Sequence, residues 1–235
     1  MIWNTPGGNA SNLCLDILQQ THALIAGTTG SGKSSLLNAI IYTALYKAPC
    51  NCQFALIDTK CTELAIYKQL PHTRIYTTDR PTEALAAVLD ETHKRSREAS
   101  NQFIKQSTAP PLYLIIDELG DLIYTDRNAA HILGRIAMTG RAANVHIIAG
   151  TQCPNRRTLS AEFAANCTAR IGLRCRDKIE SRQIIGTNDA INLPPIGLGY
   201  YLTPQTLAPE LVTLPFYTDA ELKARVTFWK QQSPR

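Results

Sequence analysis

Residues 22–47 read HALIAGTTGSGKSSLLNAIIYTALYK. The apolar run 23–26 suits a buried strand, and from residue 35 to 47 apolar side chains recur at helical spacing. Between the two lies a turn with glycine at positions 27, 30 and 32. A strand that runs through a glycine-rich turn straight into a helix is the first half of a β–α unit, and such a unit needs a sheet for the helix to cover. This stretch points to an α/β chain.

The turn fits the pattern G-x-x-x-x-G-K-[ST], in the context that pattern requires. Glycines let backbone N–H groups turn inward around phosphates, and the helix N-terminus adds its positive dipole end. Gly27, Thr28, Thr29, Gly30, Ser31, Gly32, Lys33, Ser34 and the following Ser35 are the residues expected around a bound nucleotide. Lys33 can reach the β and γ phosphates and Ser34 can ligate Mg²⁺, so ATP and Mg²⁺ are the expected ligands.

The rest of the chain repeats the alternation of strand and helix. Apolar runs at 53–58, 74–78, 112–118 and 145–150 read as strands, and 169–175 as another. Helical patterns fill 81–106, 128–138, about 177–185 and 218–231, with Pro81 at a favoured helix start. GYYL (199–202) and VTLPF (212–216) are short apolar pieces between the last two helices. Such a series predicts a mostly parallel central sheet with helices on both faces.

The 235 residues contain no linker long enough to separate domains, which predicts a single domain over 12–235 after an N-terminal arm, 1–11. No apolar stretch approaches the ~20 residues of a membrane span, and the first ten residues lack the regions of a signal peptide. The seven cysteines are odd in number and irregularly spaced. A cytoplasmic protein with reduced thiols is the expectation.

A phosphate-binding turn needs an acidic partner at the end of a nearby strand, and YLIIDE (113–118) supplies two. Asp117 is placed to hold Mg²⁺ through water and Glu118 to polarise the attacking water as general base. The alternative is a solvated pair of acids at a strand terminus. Asp58 also ends a strand, in LIDTK, but Lys60 follows it, so a structural, salt-bridged role is expected there.

The net charge of +5 is modest, yet between Cys153 and Arg182 seven basic residues stand against three acidic ones. That concentration suggests a polyanion partner. The strand 145–149 carries Arg141 before it and Arg156 and Arg157 after it.

Five stretches together resemble one family: HALIAGTTGSGKS (22–34), LIDTKCTELAIYKQLPH (56–72), LIIDELGDL (114–122), GRAANVHIIAGTQCP (140–154) and RIGLRCRDKIESRQI (170–184). In this order they are similar to the motor domains of the FtsK/SpoIIIE DNA translocases, over the chain from about residue 12 to its end. The resemblance implies a RecA-like P-loop fold and a homo-oligomer, a hexameric ring that drives double-stranded DNA through its channel. It matches Thr151 and Gln152 to a polar sensor of the γ-phosphate, and Arg141 to an arginine supplied to the neighbouring subunit's ATP. It also matches the loop after the sensor and the helix near Asp177 to two DNA-contacting segments, with Lys178 and Arg182 as basic positions.

Lys178 and Arg182 are four residues apart and so share a helical face. They could instead flank Asp177 and Glu180 in surface ion pairs, and Arg141 could be a helix C-terminal charge. Cys153 stands where the family usually has arginine and Ala164 where it usually has lysine; Arg156 and Arg157 are close enough to substitute. The expected function is an ATP-dependent double-stranded DNA translocase. Its alternatives are a DNA-transfer or packaging ATPase coupled to proteins of a mobile element, plasmid or phage, a secretion-type ATPase acting on protein, and a non-hydrolysing switch.

Overall fold

A computed structural model describes residues 10–47, 51–155 and 157–231. Most of the expected N-terminal arm, residues 1–9, and Arg156 lie outside these described residues. The elements run α1 (Ala10–Gln19), β1 (His22–Ala26), α2 (Lys33–Lys47), β2 (Gln53–Ile57), β3 (Thr73–Thr77), α3 (Pro81–Asn101), β4 (Leu112–Ile116), α4 (Leu119–Thr125) and α5 (Asn128–Ala143). They continue with β5 (Val145–Thr151), α6 (Ala161–Asn166), β6 (Ala169–Gly172), α7 (Lys178–Ile185), β7 (Leu198–Leu202), β8 (Glu210–Thr213) and α8 (Asp219–Gln231).

The strands form one eight-stranded sheet in the order β3-β2-β4-β5-β1-β6-β7-β8. The pairs from β3 to β6 are parallel, and β7 and β8 add on antiparallel. β1 and β4 are buried at every position. Successive strand residues point to opposite faces. Ala23 and Ile25 therefore join one core with Leu13, Leu37, Ile41 and Val226, from α1, α2 and α8. Leu24 and Ala26 join the other with Leu85, Leu133 and Ile184, from α3, α5 and α7. Each buried Leu or Ile contributes about 1.5–3 kcal/mol, which lets five-residue strands hold their register.

The mostly parallel sheet with helices on both faces is the architecture the alternation predicts. Some boundaries differ. α1 was not expected; it buries Leu13, Cys14 and Ile17. α3 stops at Asn101 rather than running on to 106, because Phe103 takes a left-handed backbone at φ +56°. The short apolar piece 212–216 is only partly in a strand: β8 begins at Glu210 and ends at Thr213, before Pro215, which cannot donate to a ladder.

One consequence governs the site. β4, β5, β1 and β6 are parallel neighbours, so the turns that follow them all leave by the same edge of the sheet. In open α/β sheets that carboxyl edge is where ligands bind.

Candidate active site

The glycine-rich turn hangs between both neighbours of β1. Gly27 N–H donates to Thr151 O across 3.2 Å on the β5 side, and Thr28 N–H donates to Arg174 O across 2.9 Å beyond β6. Ser31 N–H closes the turn on Thr28 O at 3.0 Å. Gly32, at φ +94°, supplies a conformation L side chains rarely adopt, and its carbonyl accepts a helical bond from Leu36 N–H at 2.9 Å. Lys33 and Ser34 are thus in the first turn of α2.

Lys33 is buried and crosses the end of β5 toward β4. Its Nζ donates to Asp117 O at 2.9 Å and to Glu118 Oε2 at 2.7 Å. Gly150 leaves the path open: a Cβ there would lie 2.6 Å from Asp117 O and 3.1 Å from Lys33 Cδ. Glu118 also accepts Gln152 N–H, at 3.0 and 3.1 Å to its two oxygens, and caps α4 through Gly120 N–H at 3.3 Å. The two acids are therefore not a solvated strand terminus; they are 3% and 4% exposed.

Asp117 is divided between its oxygens. Oδ1 accepts Glu118 N–H at 2.7 Å, Thr59 N–H at 3.1 Å and Thr59 Oγ1 at 3.2 Å. Oδ2 is buried with no hydrogen-bond partner among the described residues. Burial pushes the carboxyl's pKa up, the Thr59 N–H opposes this, and nearby Asp58 adds to it. A buried carboxylate oxygen left unpaired beside a phosphate-type turn is a feature a cation relieves. The donor set of Asp117 and Ser34 oxygens also suits Mg²⁺, so the residues present fit that ion.

Asp58 is structural, though its partners differ from those expected. It accepts Leu64 N–H at 3.0 Å, Thr62 N–H at 3.3 Å and Tyr76 OH at 3.3 Å, pinning the loop after β2. Lys60 instead approaches Asp121, at 3.9 Å. The salt bridge read from LIDTK is thus replaced by backbone donors, because the chain turns back over Asp58 immediately after the strand.

Gln152 follows the end of β5, between the strands that carry the turn and the acids, and its Oε1 accepts Thr29 Oγ1 at 3.0 Å. Arg141 lies exposed in the last turn of α5. Asn144 N–H caps that helix on Gly140 O and Arg141 O, so the guanidinium is not what satisfies the terminal carbonyls. Arg157 is exposed in the loop after β5. Lys178 and Arg182 are exposed one turn apart on α7, while Asp177 and Glu180 pair with Arg176, at 3.8 and 2.9 Å. Among the described residues Lys178 and Arg182 are in no ion pair, which removes the surface-pair alternative for both. Arg170 is drawn inward by Ala164 O and Cys167 O at 2.8 and 3.2 Å.

Thr59 escaped a reading by strand ends, although it lies in a stretch that carried the resemblance; only the pairing of β2 with β4 brings it to Asp117. A cavity of about 510 Å³ beside Ser34 and Ser35 was also unforeseen. It is lined by Asn38, Glu63, Phe216 and Tyr217 among others, and no local pattern links α2 with the approach to α8.

A glycine-rich turn that opens a helix, with its lysine facing acids at the end of a strand two places away, is the arrangement with which P-loop ATPases hold and hydrolyse a triphosphate, and this chain is of that class. Residues 5–109 match the FtsK/SpoIIIE family model. A DNA translocase FtsK of Helicobacter pylori is 34% identical over 92% of this chain and 28% of that protein. Among solved structures, the cytoplasmic domain of the Thermomonospora curvata type VII secretion ATPase EccC shares the fold with a TM-score of 0.77 at 23% identity, over 91% of this chain and 28% of that one. The pCW3 conjugation coupling protein TcpA does so with a TM-score of 0.77 at 20% identity, over 91% and 66%. The chain is thus similar to the FtsK/SpoIIIE family, through the family model over residues 5–109 and through FtsK translocases over most of its length. It spans 28% of the length of the Helicobacter relative. No helix among the described residues is long and apolar enough to cross a membrane.

Proposed function

We propose that this chain is an ATP-hydrolysing motor that moves double-stranded DNA, acting in the cytoplasm as a ring of identical subunits that is hexameric on DNA. The relatives named DNA translocase support the substrate. The observation that carries the proposal is a shared edge: the phosphate turn, the paired acids and the unpaired cations of α7 all follow neighbouring parallel strands. Two positive charges one helical turn apart suit successive phosphates and give grip without sequence preference.

Lys33 neutralises Glu118. When phosphates enter the turn, Lys33 moves onto their β and γ oxygens, and Glu118 is released to accept a proton from water. Ser34 Oγ and, through water, Asp117 Oδ2 would hold Mg²⁺, which when bound supplies charge neutralisation across the phosphates. Gln152 reports the γ position. Arg141, exposed and uncommitted, reaches the ATP of the neighbouring subunit, where its planar guanidinium matches phosphate oxygens.

Duplex DNA at low salt should raise ATP turnover, and replacing both Lys178 and Arg182 by alanine should abolish the rise. Turnover indifferent to DNA, in a protein that binds ATP, would favour a protein-handling or switch role instead.

A further inference from the structure

We infer that Thr28 and Thr29 tie the phosphate turn to the two DNA-contacting segments, and so set how strongly nucleotide and DNA binding influence each other. The inference rests on the motor reading above. The G-x-x-x-x-G-K-[ST] pattern leaves both positions unspecified, so phosphate binding alone asks for no hydroxyl at either. Here both hydroxyls point sideways, to opposite neighbours. Thr28 Oγ1 donates to Arg174 O at 3.1 Å, beside its own N–H at 2.9 Å to the same oxygen. Thr29 Oγ1 donates to Gln152 Oε1 at 3.0 Å.

Each acceptor opens a segment braced by further bonds. After Arg174, Cys175 N–H donates to Ala190 O at 3.1 Å and Arg176 N–H to Glu180 Oε2 at 2.9 Å. Asp177 Oδ1 then caps α7 through Ile179 and Glu180 N–H, both at 2.9 Å. A displacement of Arg174 is therefore passed to Lys178 and Arg182 rather than absorbed.

After Gln152, Cys153 N–H donates to Thr151 Oγ1 at 3.3 Å and Thr158 Oγ1 to Cys153 O at 3.1 Å. Asn155 Oδ1 accepts Arg157 N–H at 2.8 Å and Thr158 N–H at 3.1 Å. Arg157 moves with this loop. The base of the loop is also held by Glu118, which accepts Gln152 N–H. Each hydroxyl link from the turn is one bond on a partly or fully exposed threonine, which a rearranging turn can break; at Thr28 the backbone N–H bond to Arg174 O stands beside it.

The test measures the affinity of a fixed-length duplex DNA for the full chain with and without saturating ATPγS, in wild type, Thr28→Val, Thr29→Val and the serine versions of each. Both threonines sit in the phosphate turn, so the readout is the ratio of the two affinities and not basal turnover. Saturation is set separately for each variant; if valine prevents ATPγS binding, alanine takes its place. Wild type should show a ratio of about 5–150, the usual range for coupled sites. Each valine variant should lower it about two- to tenfold, the worth of one neutral hydrogen bond, and serine, which keeps the hydroxyl, should restore it. A large wild-type ratio that both valine variants retain overturns the inference alone. A wild-type ratio of one overturns it together with the motor reading.

Discussion

Lys33 Nζ stands 2.7 Å from Glu118 Oε2, so the residue proposed to grip phosphate and the residue proposed to activate water are joined directly. The pair is buried, with side chains 10% and 5% exposed, where removing one partner strands the other's charge. In the proposed mechanism nucleotide binding exchanges this contact for phosphate oxygens, which makes the loading of Lys33 and the release of Glu118 a single event.

Glu118→Gln keeps the size of the side chain and its acceptor for Gln152 N–H but removes the base. Steady-state turnover should fall about 10²- to 10⁴-fold while binding of a fluorescent ATP analogue persists. A fall of less than about tenfold would remove Glu118 from the base position, given the usual size of general-base effects.

Asp117→Asn should raise the Mg²⁺ concentration needed for half-maximal turnover, because Oδ2 is the unpaired buried oxygen and the amide carries no charge to match. A Mg²⁺ titration of both proteins checks this. Because burial raises the pKa of the Asp117 carboxyl, the wild-type Mg²⁺ requirement should also climb as pH falls toward its protonation. An unchanged requirement in the variant would place the metal elsewhere.

Arg141→Ala and Lys33→Ala proteins should each be inactive alone, and their mixture should recover some of the turnover. In mixed rings an intact arginine can meet an intact phosphate turn. Titrating one variant into the other and following phosphate release checks it; no recovery would mean that Arg141 does not act on a neighbour.

His22 links the start of β1 to both α5 and β5. Its Nδ1 accepts Ile147 N–H and its Nε2 meets Ala137 O, each at 3.0 Å, an arrangement only the neutral ring can make. Burial lowers its pKa from 6.5 to about 4; the Ala137 bond opposes this more weakly, and nearby His146 adds slightly to the fall. Between those values the unfolded chain binds the proton and the folded one does not. Stability from this group is therefore complete above pH 6.5, falls by up to about 1.4 kcal/mol per unit as pH drops, and levels off near pH 4. His22→Gln should be less stable than wild type at pH 7 in urea denaturation, with the gap narrowing by pH 5. A gap that does not change with pH would show that His22 is not held neutral.

The central strands and the phosphate turn were readable because a buried parallel strand is a closed apolar run and the turn has a strict spacing. Asp117 and Glu118 were readable because they end such a run. Thr59 was not, since only the register of Ile57 against Ile116 sets it beside Asp117. The Thr29–Gln152 bond joins positions 123 apart in the chain and depends on β5 lying next to β1. α4 and α6, at seven and six residues, are too short to show a helical period, and packing rather than propensity makes them. Arg176 took the acids that Lys178 and Arg182 were thought able to share, a matter of rotamer and not of spacing.

Movement along DNA is the central claim, and displacement of a third strand from a duplex reads it directly. The full chain, ATP and a duplex carrying a triplex-forming oligonucleotide should release the oligonucleotide, with none released under ATPγS or by Glu118→Gln. Hydrolysis that DNA stimulates, but that leaves the triplex intact on a duplex long enough to load a ring, would contradict the account.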